Sequence, residues 1–230
     1  MIAKGGKMAL HFGEETQTIP KYFRFSIFLI LLFFLVTPIG CLNLQKPARY
    51  VEQYTLEYLS PEISGLSAIG TSLKVERFTE APAYNTSAMI YRPEPFKLDA
   101  YQYHRWRVHP ADLVTGYLLR DLRKSALFKA VFSHLDPQEG RFVLEGGVEE
   151  FLEVDEKNQR QAVLVLNVTL LDSSFKDLPR RILFQKRYRF QEPIAENTPR
   201  GLAKGMSQAM RKFSEESIRD VYSSVRERMQ

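Results

Sequence analysis

Cys41 is the residue of this chain whose type and setting specify a reaction. It is the only cysteine, so an internal disulfide is closed to it. An uncharged apolar run, FSIFLILLFFLV from Phe25 to Val36, ends shortly before it, and Gly40 precedes it with no side chain to obstruct a peptidase cleft. The chemistry this arrangement supports is acylation of the thiol through a diacylglyceryl thioether. Lys21 and Arg24 stand just ahead of the run, which gives the basic, apolar, small-residue order of an export signal. The run holds twelve residues, too few for a membrane span of about 20.

The window Thr37-Pro38-Ile39-Gly40-Cys41 resembles a bacterial lipobox, with Pro38 where that motif carries Leu. An uncleaved anchor or ordinary secretion is the alternative, since no charge occurs between Arg24 and Lys46, although Thr37, Pro38, Asn43 and Gln45 make a poor second half of a span. The stretch before Lys21 is long for an n-region and carries Glu14 and Glu15, which fits a start downstream of Met1. Residues 1–40 therefore read as a signal peptide, 41–49 as a lipidated tether stiffened by Pro47, and 50–230 as one folded domain. The leader carries Lys4, Lys7, Lys21 and Arg24 against Glu14 and Glu15, so the chain's net +5 leaves +3 for the rest. That mild, interspersed charge excludes nucleic acid as the expected partner.

No other constellation specifies catalysis. Beyond the leader there are three histidines, His104, His109 and His134, and no second cysteine, so thiolate metal sites are excluded. His104 and His109 are five apart in an extended stretch, where such side chains point to opposite faces. The neighbours Glu149-Glu150 and Glu215-Glu216 diverge on a strand or are solvated on a helix. Phosphate-loop, dinucleotide and nucleophile-elbow motifs are lacking. The reading is a non-enzyme without metal or cofactor.

The elements that position the remaining residues are read from periodicity. Tyr54, Leu56 and Tyr58 alternate in one strand, and Leu73 and Val75 in a second. Met89 and Tyr91 are in phase in SAMIYR, and Phe96, Leu98 and Ala100 in FKLDAYQY, a hairpin turned by Pro93-Glu94-Pro95. Pro110 opens a helix with Asp112 in its first turn and a stripe of Leu113, Val114, Tyr117, Leu118 and Leu122. Three long strands come next at 141–154, 161–172 and 181–190, the first pair turned by DEKNQR, with Gly146-Gly147 expected to form a bulge. Thr198 caps a last helix from Pro199 to Met229, striped by Leu202, Met206, Met210, Phe213, Ser217, Val221 and Val225. The expected fold is α+β. Two amphipathic helices lie on one face of a largely antiparallel sheet of six or seven strands, in the order β-β-β-β-α-β-β-β-α.

YTLEY at 54–58, VERF at 75–78 followed by PAYN at 82–85, MIYR at 89–92, YQYHRW ending at Trp106, SALFKAV at 125–131 and the strand trio before the terminal helix make an ordered series after Cys41. Across about residues 50–228 this series resembles the auxiliary lipoproteins of ABC-type transport systems, the group that includes the paraquat-inducible system's lipoprotein. The resemblance implies a periplasm-facing lipoprotein beside an ABC permease and ATPase and a mammalian-cell-entry-domain protein. Such systems move phospholipids or other hydrophobic molecules between the two membranes. The lipoprotein would dock the conduit to the outer membrane and hydrolyse nothing. A homo-oligomer is compatible with this. Leu42, rather than Asp, after Cys41 points to the inner leaflet of the outer membrane. Tyr84, Tyr91, Arg92 and Trp106, where the resemblance is densest, are the expected partner-facing residues. The alternatives are a lipoprotein scaffold or envelope-assembly factor with no transporter, and a periplasmic enzyme.

Overall fold

The alternation of 142–172 builds the spine of the molecule. A computed structural model describes residues 50–156 and 159–230, together with Tyr22 and Ser26. The leader, Cys41, the tether and the tip of the DEKNQR turn lie outside the described residues. In chain order the elements are β1 (Glu52–Tyr54), β2 (Ile69–Val75), β3 (Thr79–Glu80), β4 (Ala88–Arg92), β5 (Asp99–Trp106), α1 (Pro110–Ser125), β6 (Phe128–Ser133), β7 (Phe142–Glu156), β8 (Gln159–Asp172), α2 (Leu178–Arg181), β9 (Ile182–Pro193) and α3 (Pro199–Met229). A short 3-10 turn, Pro82–Tyr84, links β3 to β4.

One edge of β7 is paired along its length with β8, antiparallel, and β8 with β9, also antiparallel. The other edge is shared by three strands that all run parallel to β7: β2 beside Phe142–Leu144, β3 beside Gly147 and Val148, and β4 beside Leu152–Val154. Beyond β2 lies parallel β6, and beyond β4 come antiparallel β5 and then parallel β1. Among the described residues the α+β domain therefore carries a mixed sheet of nine strands with three helices in the order β-β-β-β-β-α-β-β-β-α-β-α, which corrects the expectation of a largely antiparallel sheet of six or seven strands with two helices in the order β-β-β-β-α-β-β-β-α. Side chains alternate with the same period in parallel and antiparallel strands, so alternation alone carries no pairing direction.

Two further expectations are corrected. The bulge in β7 falls between Val148 and Glu150, while Gly146 and Gly147 stay in register with Val168 and Asn167. Gly146 answers to packing instead: a Cβ there would stand 2.6 Å from the Phe78 ring and 2.5 Å from the Asn167 carbonyl oxygen. The strand expected through Tyr58 stops at Tyr54. From Thr55 the chain leaves the sheet and straps the helices. Leu56 is buried, Glu57 N–H donates to Ser207 Oγ on α3 at 2.9 Å, and Tyr58 donates to Asp121 on α1 at 2.7 Å.

The helices start where their sequences say. Thr198 Oγ1 accepts from Gly201 N–H at 3.1 Å, and α3 then buries its whole stripe, from Leu202 to Val225, on β8 and β9. Phe213 meets Tyr188 and Phe190 edge-on at 5.3 and 6.4 Å. Burial of each such large apolar side chain contributes about 1.5–3 kcal/mol. At α1 the cap comes from another element. His109 makes no side-chain cap, and Glu80 of β3, a half-buried residue, accepts from Ala111 N–H at 3.0 Å, placing negative charge at the positive end of the helix.

Candidate interaction surface

The β4–β5 hairpin is crowded with aromatic residues because two side-chain sets meet there. Tyr91 follows buried Met89 in phase and emerges toward solvent at the strand end. Its ring lies 5.0 Å from that of Tyr101. Tyr101 meets His104 edge-on at 5.9 Å, and His104 meets Tyr54 of β1 at 5.9 Å. Tyr101 and His104 are three apart, which a regular strand would place on opposite faces. The register shift between Ala88↔Arg105 and Ile90↔Ala100 brings them together.

Each hydroxyl in this cluster is bonded to a carboxylate. Tyr91 donates to Asp99 at 3.1 Å, Tyr101 to Glu153 at 2.9 Å and Tyr54 to Glu52 at 2.5 Å. Glu153 is buried and is also held by Arg160 at 2.8 Å. Burial, then the Glu52 hydrogen bond and charge, pushes the Tyr54 hydroxyl up to about 12. Burial and the charge of Glu153 likewise raise Tyr101. The Ala100 backbone N–H and then the Tyr91 hydroxyl hold Asp99 below the usual carboxylate range. With hydroxyls engaged, ring faces and edges are what the cluster offers, and beside them is a cleft of about 220 Å³ lined by Tyr91, Pro93, Tyr101, Glu153, Asp155 and Arg160. This suits contact with a polypeptide surface.

The four residues expected to face a partner are not brought together. Trp106 is 1% exposed and packs edge-on against Phe151 at 5.1 Å. Tyr84 is 5% exposed at the end of the 3-10 turn. Both are core. Arg92 points to the face opposite Tyr91, where it approaches Glu150 at 3.9 Å; Arg189 holds the same carboxylate at 3.1 Å, and Arg187 holds Glu149 at 2.5 Å. The acidic neighbours are thus ion-pair partners, as is Glu216 with Lys186 at 2.9 Å. His109 contacts Glu80 at 3.3 Å and not His104. Among the described residues, no group of three His, Cys, Asp or Glu side chains could hold a metal ion. Sequence reading missed His104 and Glu153 as members of the cluster. The signal for Glu153 was an acid inside the otherwise apolar stretch Phe151–Val154 of β7.

Over residues 54–216, more than half its length, the chain matches the family of the ABC-type transport auxiliary lipoprotein component. The chain belongs to that family. Membership makes it an envelope-associated, membrane-anchored protein. Among solved structures it is similar to protein XCC0632 from Xanthomonas campestris, at a TM-score of 0.71 and 18% identity, over 78% of this chain and 99% of that one. It is also similar to an uncharacterised protein, at a TM-score of 0.58 and 11% identity, over 74% of this chain and 99% of that one. At these identities the likeness is one of fold. Comparison with curated proteins returns no match.

Proposed function

We propose that this family member is a non-catalytic periplasmic subunit of an ABC-type system for lipids or other hydrophobic molecules, acylated at Cys41. In this reading it docks a mammalian-cell-entry-domain conduit to the inner leaflet of the outer membrane. The observation that carries the reading is the family match over residues 54–216. The cluster of Tyr91, Tyr101, His104 and Tyr54 supports it by offering a rigid aromatic patch of the kind protein interfaces favour.

The test is affinity purification of the native protein from detergent-extracted membranes, with its companions identified by mass. The reading expects a permease, an ATPase and a mammalian-cell-entry-domain protein of one system. Isolation of the folded, acylated protein without any of the three would transfer it to the scaffold or envelope-assembly reading.

A further inference from the structure

The turn between β4 and β5 holds a large apolar side chain out in solvent. Phe96 is fully exposed and adopts a positive φ of 68°. Lys97 N–H donates to Glu94 C=O at 3.3 Å, so Glu94–Lys97 is a β-turn with Pro95 in second place and a positive-φ residue in third. That is the pattern of a type II turn, whose third residue is ordinarily Gly or Asn. Phenylalanine there is strained and gains no burial in return. Leu98, two residues on, is 48% exposed. An exposed apolar pair, one member of it held at a strained φ, points to an occupant outside the folded chain.

The topology indicates which occupant. β1 runs parallel to β5, with Glu52 opposite His104, so the chain comes to β1 in the direction in which β5 runs, from the side on which this turn precedes β5. Tyr50 and Val51, exposed themselves, lie on that approach, beside the middle of β5. Tyr50 stands nine positions after Cys41, so a lipid on Cys41 is attached within about 30 Å of it. We infer that the Pro93–Leu98 turn is a membrane-contacting loop, which seats Phe96 and Leu98 in the headgroup and acyl boundary of the bilayer that holds the protein's own anchor. Lys97 sits between them with its ammonium paired to Glu94 at 3.4 Å on the same turn, and long basic side chains beside apolar ones are what interfacial segments use. This rests on acylation at Cys41. It would fix which end of the domain faces the membrane and direct the rest of the sheet toward the periplasm.

The test uses the full acylated protein in vesicles of phosphatidylethanolamine and phosphatidylglycerol, with intact mass first establishing the acyl group. The only native tryptophan, Trp106, is buried and supplies a constant background. Phe96→Trp, and separately Leu98→Trp, which carries no positive φ, should show blue-shifted emission quenched by lipids brominated in the acyl chains and shielded from aqueous acrylamide. Phe96→Gly should keep or raise the melting temperature, because glycine accepts the positive φ, while weakening the shielding of the Leu98→Trp reporter. An acylated protein whose reporters stay open to acrylamide would overturn the inference, as would reporters shielded only when a protein partner is added. Absence of the acyl group would remove the anchor reading itself, an outcome the mass measurement separates from the other two.

Discussion

Asp172 is the buried charge on which the end of β8 depends. Its carboxylate accepts from Ser174 N–H at 3.1 Å and Ser174 Oγ at 2.6 Å, and it pairs with Arg141 at 3.3 Å. Burial alone would raise its pKa, but the Ser174 and Arg141 interactions outweigh it and hold the carboxyl below its ordinary value. A carboxyl lowered in the folded state contributes stability above its unfolded pKa near 3.9, and that contribution is lost as pH falls through the folded value. Asp172→Ala should therefore cost about 3 kcal/mol at pH 7, the low end for a broken buried pair because Arg141 is partly exposed. Urea melts should show the gap between the two proteins closing as pH is lowered below about 4. A gap independent of pH would mean that the carboxylate's charge is not what matters. The aromatic residues separate in the same way. Trp106→Ala empties core space beside Phe151 and should lower stability by about 3–5 kcal/mol, whereas Tyr91→Ala should leave the melt within about 1 kcal/mol of wild type.

At the scale of elements, α3 is the part that sequence describes best. Its Thr198-Pro199 start and its stripe at helical spacing are local features, and local features survive folding unchanged. Phe213→Ala should cost about 3–5 kcal/mol, read as a lowered melting temperature, because its ring fills the space between Tyr188 and Phe190. Gly201 is a sharper test of the helix start. A Cβ there would lie 1.9 Å from the Glu196 carbonyl oxygen, so Gly201→Ala must displace the chain ahead of the helix and should cost about 1–3 kcal/mol. What was illegible depended on other elements. The glycines of β7 looked like a bulge, and only the Phe78 ring from another part of the chain explains Gly146. Tyr58 looked like a strand residue, and only Asp121 on α1 explains why the chain leaves the sheet there. The contact cluster was half legible: Tyr91 stood out as an aromatic in phase, but Tyr101 and His104 share a face through a register shift that no alternation announces. Trp106 carried the composition of an interface anchor, and composition does not distinguish an anchor from core.

For the whole molecule, the sheet branches: one edge of β7 serves three separate parallel strands, and its other edge carries the β8–β9 pair on which α3 packs. The aromatic cluster lies on the branch formed by β4, β5 and β1. Cys41→Ser should release the domain from membranes into the soluble periplasmic fraction or leave an unprocessed precursor, seen by fractionation and intact mass. Retention of the substituted protein in membranes at the mature mass would show that attachment does not run through that thiol. The measurement that tests the central claim most directly is the affinity of the purified, acylated protein for the purified periplasmic part of the system's mammalian-cell-entry-domain component. The account predicts saturable binding that Tyr91→Ala weakens by about 30-fold, the effect of losing about 2 kcal/mol from an interface anchor, with thermal melts unchanged. No binding by wild-type protein that is folded and acylated would contradict it.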